Sequence, residues 1–234
     1  MNRRWMGSVP MVIGSTVILA HTVQAQGTES GRPGPRAVLE AQHELALAVS
    51  AAPPAVADEA TVLAWNGAAF DTMRVGTNGV TCYVARSWPE SLEPHCFDVE
   101  GSATILPIHL RQMQLWHEGR GADEVDAVIA EGLRSGQFRL PSRPAMSYMM
   151  SAGQRLIGDD GTPVGAWRPH LMIYYPYLTP EAMGLGAAPS PDAAVVVDPG
   201  TPFSNLMIVV RDFVEVPLIG GDGNSGGTAR PEGR

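Results

Sequence analysis

The chain has 234 residues with a formal net charge of −8, two cysteines and no lysine. Its acids are spread along the sequence rather than gathered into a run, and such a surface repels nucleic acid and anionic lipid, both of which require a cationic footprint. Without lysine there is no Schiff-base amine and no phosphate-loop ammonium.

Arg3 and Arg4 precede an apolar run from Val9 to Ala20 that ends in Val23-Gln24-Ala25. This is the pattern of a secretory signal peptide cleaved near Ala25, and the run falls well short of the roughly 20 residues a membrane-crossing helix needs. Residues 1–25 are therefore expected to be removed, which places the mature protein in the periplasm or outside the cell and takes its net charge to about −10. Residues 26–35, rich in glycine and proline, read as a flexible leader. Residues 36–217 make one α+β domain, and the Gly-rich stretch 218–234 reads as a disordered tail.

Within the domain, Val38, Ala41, Leu45 and Val49 recur at helical spacing and predict a helix from Arg36 to about Ser50. His43-Glu44 on it lacks the second histidine of a zinc-protease helix and reads as a solvated pair. Pro53-Pro54 ends the helix in an extended connection. The period then becomes two. Thr61–Trp65, a turn at Asn66-Gly67, Phe70–Val75, a turn at Asn78-Gly79 and Val80–Val84 predict a three-stranded antiparallel meander. Helices are expected over Pro107–Glu118 and Asp123–Ser135, the second closed by Gly136. Extended runs follow at Ala145–Ser151, His170–Tyr175 and Leu206–Val210, with a short one at Val195–Val197. Strands first, helices in the middle and strands again predict a mainly antiparallel twisted sheet with an N-terminal helix and two central helices inserted between strands.

Cys82 and Cys96 pair as a single disulfide if the compartment is oxidising, and the loop of about 15 residues so closed is worth roughly 3 kcal/mol in the chain-entropy model. That loop holds Trp88, Pro89, Pro94 and His95, so the bond is expected to tie down a segment with few ladder hydrogen bonds. The rival reading is a nucleophilic thiol at Cys96 beside His95, which adjacency in sequence alone does not support.

Catalytic motifs are missing: there is no Gly-x-Ser-x-Gly, and the absence of lysine removes Ser-x-x-Lys. His109 and His117 stand eight apart on one predicted helix, roughly 12 Å along its axis, too far to chelate one ion together. His170 opens an apolar strand on which His170, Met172 and Tyr174 face one way and Leu171, Ile173 and Tyr175 the other. Met146, Tyr148 and Met150 share a face of another strand, a pattern found in cores and at adaptable binding surfaces. The resulting candidate polar site is His170, His95, Asp98, Arg168 and Tyr148, with no catalytic assignment, no metal and no cofactor.

Gly76-Thr77-Asn78-Gly79-Val80-Thr81-Cys82 and Arg168-Pro169-His170-Leu171-Met172-Ile173, together with Ala51–Pro54 and Ala60-Thr61-Val62, resemble a family of secreted bacterial proteins with no assigned function, over roughly Val38 to Pro176. The resemblance implies a shared secreted fold and draws attention to His170 and the Cys82 loop. Two functions are expected from all this. The first is a non-catalytic module, envelope-associated in one version, binding an unknown small molecule or envelope component. The second is a secreted hydrolase, metal-assisted in one version, built around His170 with His95 and Asp98 brought near by the Cys82 loop.

Overall fold

A computed structural model describes residues 34–158, 161–165, 167–185 and 194–218. The expected signal peptide, nearly all of the expected leader and all but the first residue of the Gly-rich stretch lie outside them. The elements run α1 (Ala41–Val49), α2 (Pro54–Ala57), β1 (Thr61–Trp65), β2 (Phe70–Arg74), β3 (Thr81–Ala85), β4 (Glu93–Phe97), α3 (Val99–His117), α4 (Ala122–Ser135), β5 (Ala145–Met149), β6 (His170–Tyr174), β7 (Val195–Val197) and β8 (Asn205–Val209). The strands form one eight-stranded sheet in the order β2-β1-β3-β4-β5-β6-β8-β7. Every neighbouring pair is antiparallel except β1 and β3, so the chain is α+β.

That exception corrects the expected meander. The β1–β2 hairpin forms around Asn66, whose Oδ1 accepts from the N–H groups of Ala68 and Ala69, but β3 then pairs with β1, Thr61 opposite Thr81 and Val62 opposite Cys82. β2 carries Asp71, Thr72 and Arg74 and has no fully buried residue, so it takes the edge, where charge is tolerated. Val62, Cys82 and Val84 are wholly buried and claim the interior positions. The connection that makes this possible presses Gly76 onto the chain before β1. A Cβ there would lie 2.2 Å from the Thr61 nitrogen, so only glycine permits the approach.

α1 begins five residues later than periodicity predicts. Arg36 is buried and lies outside any helix, its guanidinium donating to the carbonyls of Arg86 and Ser87, each at 3.1 Å, and the helix starts only after Glu40, whose carboxylate caps it. Glu44 is also reassigned. His43 is exposed, but Glu44 is 1 % exposed and pairs with Arg86 at 2.5 Å. Pro54 opens the short helix α2 instead of an extended connection, its ring suited to a first helical turn.

β4 falls in the segment expected to lack ladder bonds. It pairs with β3 along its whole length, and Cys82 stands directly opposite Cys96, where the two are joined in a disulfide. The bond therefore staples two paired strands. β5 pairs only with Cys96 and Phe97, so Pro94 sits where a single neighbour flanks the strand. α3 starts eight residues before the expected Pro107, capped by Asp98 Oδ1 on the Gly101 N–H at 2.7 Å. An internal proline costs about 3 kcal/mol. Burying Ile105, Leu106 and Ile108 returns about 1.5–3 kcal/mol each.

The sheet has helices on both faces. α1 covers one, over Val62, Cys82, Val84 and Cys96. α3 and α4 cover the other, packing Ile105, Ile108, Leu115 and Ile129 against Tyr83, Phe97 and Tyr174.

Candidate functional site

Between α3 and α4 and the face of β4, β5, β6 and β8 lies a cavity of about 700 Å³. Strand alternation decides what lines it. His170, Met172 and Tyr174 of β6 do, as their period predicts, and so do Glu93 and His95 of β4 and Met149 of β5. From α3 come His109, Met113 and Trp116, spaced at i, i+4 and i+7 on one helical stripe. Trp167, just before β6, sets its ring edge-on to His170 at 4.7 Å.

Of the five residues expected to form a polar site, two meet here. His170 and His95 share the cavity, whereas Asp98 is occupied as the cap of α3. Tyr148 pairs with Cys96 and packs on the α1 face, through the sheet from the histidines. Arg168 contributes its carbonyl, which accepts from His170 Nδ1 at 2.9 Å, and its side chain is not part of the wall. The methionines follow the same rule, since Met149 reaches the cavity and Met146 and Met150 do not. His109 and His117 also part company, the latter accepting from the Arg36 N–H and lying edge-on to Trp65.

A carbonyl can only accept, so Nδ1 of His170 carries the hydrogen and Nε2 presents a lone pair. His95 Nδ1 is within 2.9 Å of Ser147 Oγ, and His109 Nδ1 within 3.0 Å of Tyr83 OH. Ser147 is fully buried and does not line the cavity, so its hydroxyl holds the His95 ring in place and has no path to a substrate.

Burial keeps all three imidazoles neutral. It drives His95 well below the ordinary histidine range, helped by the nearby His109 and His170, and brings His109 down to about 4. It also lowers His170, against the opposing effect of the Arg168 carbonyl. Burial raises the Tyr83 and Tyr174 phenols, so they too stay uncharged.

The consequence for stability has a definite sign. An imidazole with a depressed folded pKa contributes its full stabilisation above the unfolded value near 6.5, and loses it as the pH falls through the folded value. The urea midpoint should therefore hold at pH 7–8 and drop between pH 6.5 and 4, each imidazole adding a slope of up to about 1.4 kcal/mol per pH unit. His109→Gln should flatten that decline. A midpoint independent of pH across this window would contradict the buried neutral assignment.

Three residues that line the cavity also carry polar atoms without partners. Trp116 Nε1, Trp167 Nε1 and Asn205 Oδ1 are buried without a hydrogen bond among the described residues, and such groups carry a desolvation penalty until something meets them. No group of three or more His, Cys, Asp and Glu side chains among the described residues is placed to hold a metal ion, and no described helix is long and apolar enough to cross a membrane. The chain matches no protein-family model, no curated protein and no solved structure.

Proposed function

We propose that this chain is a non-catalytic binding module, exported to the periplasm or beyond, whose cavity takes a small, largely apolar molecule with a hydrogen-bonding group at each end. The observation that carries the reading is a cavity of about 700 Å³ walled mostly by apolar side chains, with His170 and Asn205 among its few polar groups. Asn205 lines the cavity at the Tyr174 end of β6, and the His170 lone pair stands at the other end. The volume lies within the roughly 300–1,000 Å³ of small-molecule sites, and aromatic and methionine side chains make the rest of the wall adaptable. Export is supported by the N-terminal sequence pattern and by the Cys82–Cys96 disulfide.

The second reading, a hydrolase centred on His170, draws on that histidine's free lone pair beside His95 in one cavity. It lacks the orienting carboxylate it was expected to have, because Asp98 caps α3.

Ala130 lies on the exposed side of α4 and lines the mouth, so Ala130→Trp should obstruct entry without touching the core. Titration with the neutral dye Nile red should show one saturable site, weakened at least tenfold by Ala130→Trp and unchanged by Val75→Ala, a surface substitution on the connection after β2. Equal affinity in the Ala130→Trp variant would refute the cavity as the site. Ester hydrolysis abolished by His170→Gln would move the assignment to the second reading.

A further inference from the structure

The geometry points to a binding site for a soft monovalent metal ion, copper(I) with silver(I) as its redox-silent equivalent, on the cavity floor, formed by Met149, His170, Met172 and Met207. The pairing of β5, β6 and β8 puts these four residues at neighbouring positions of one face, and the Met172 sulfur, which now accepts from the Tyr174 hydroxyl at 3.8 Å, would turn toward His170 to bind. Met149 stands directly opposite His170, and Met172 directly opposite Met207, on the sheet face that lines the cavity. Directly opposed residues of an antiparallel pair have Cβ atoms about 4.5–5.5 Å apart, and His170 and Met172 are two residues apart on one strand face. Long, unbranched thioethers can close the remaining distance.

The donor chemistry selects the ion. Three neutral thioethers and one imidazole are soft ligands with no charge to offer, which suits copper(I) and disfavours zinc, calcium and magnesium. His170 is prepared as a ligand, since its Nδ1–H is held by the Arg168 carbonyl and its Nε2 is left with the lone pair. Methionine is also a soft sulfur donor that survives where thiols are oxidised, and here both cysteines are committed to the disulfide on the opposite sheet face. Trp167, edge-on to His170, supplies a fluorescent reporter beside the site.

This inference needs the cavity to be accessible, as the proposed function does, but not that function's organic ligand. The test is titration of the purified protein with silver(I), followed by tryptophan fluorescence and by NMR of methionine labelled at the terminal methyl carbon. One equivalent should bind, shifting the methyls of Met149, Met172 and Met207 and leaving those of the exposed Met73 and Met183 in place. Met172→Leu/Met207→Leu, which conserves volume, should weaken binding at least tenfold, and Met73→Leu should not. Excess zinc(II) should fail to displace the silver. Undisturbed methyls at the three sites, an unaltered affinity in the double variant, or displacement by zinc would each overturn the site. Saturable Nile red binding alongside any of those outcomes leaves the organic-ligand reading standing, so the two failures are distinguishable.

Discussion

Glu44→Ala should lower the unfolding free energy by about 3–5 kcal/mol, the loss expected when one partner of a buried ion pair is removed and the other is left in place. The Arg86 and Glu44 side chains are 1 % and 2 % exposed, so water cannot replace the lost carboxylate. Arg86 would keep its bonds to the carbonyls of Ala37 at 2.9 Å and Val84 at 2.6 Å, which satisfy hydrogens but do not neutralise the charge. The pair joins α1 to the end of β3, and Glu44 also accepts from the Trp65 N–H at 3.4 Å, so the loss loosens β1 as well. A melting temperature lower by roughly 10 °C is the readout in a domain of this size. Glu44→Leu combined with Arg86→Met should recover most of the loss, because two apolar side chains leave no charge stranded. A Glu44→Ala variant within about 1 kcal/mol of the parent would show that Arg86 finds another counter-charge.

What the sequence reveals of this fold is local, and what it hides is pairing over distance. The alternation of His170, Met172 and Tyr174 places all three on the cavity face, and Gly136 closes α4 with φ at +80°. Both follow from short-range geometry. β4 is hidden because Pro94 and His95 read as irregular, and only the partner strand β3, with Cys82 opposite Cys96, shows the segment to be extended. The parallel pairing of β1 and β3 is hidden for a related reason. Hairpin turns specify that a strand reverses, but the competition for interior positions, lost by the polar β2, decides which neighbour it takes.

The candidate site divides along the same line. His170 and His95 are found because histidine within apolar sequence stands out. Tyr148 and Asp98 are misplaced because one residue's shift along a strand changes its face and because a capping role depends on where the helix starts. His109 was separable from His117 by helical spacing, yet its stripe with Met113 and Trp116 acquires meaning only when a sheet bearing two more histidines lies opposite. Glu44 carries no sequence signal of burial, since its partner Arg86 is 42 residues away on a different element.

Removing the disulfide should weaken the fold and spare the cavity. Cys82→Ala/Cys96→Ala, or reduction of the parent, is expected to cost roughly 3 kcal/mol, the chain-entropy value for a loop of about 15 residues. The five residue pairs between β3 and β4 remain as ladder contacts in the folded state, so register need not change when the sulfur bridge is lost. Both sulfurs lie on the α1 side of the sheet, while His95 projects from the intervening position to the other side. Urea denaturation with and without reductant should therefore give midpoints apart by that free energy, with Nile red affinity at low urea within about twofold of the parent. Thiol titration of the unreduced, denatured protein should find none free, in keeping with the joined pair. Loss of dye binding in a variant that remains folded would mean that the bridge sets the spacing of β4 against β5, and with it the width of the cavity.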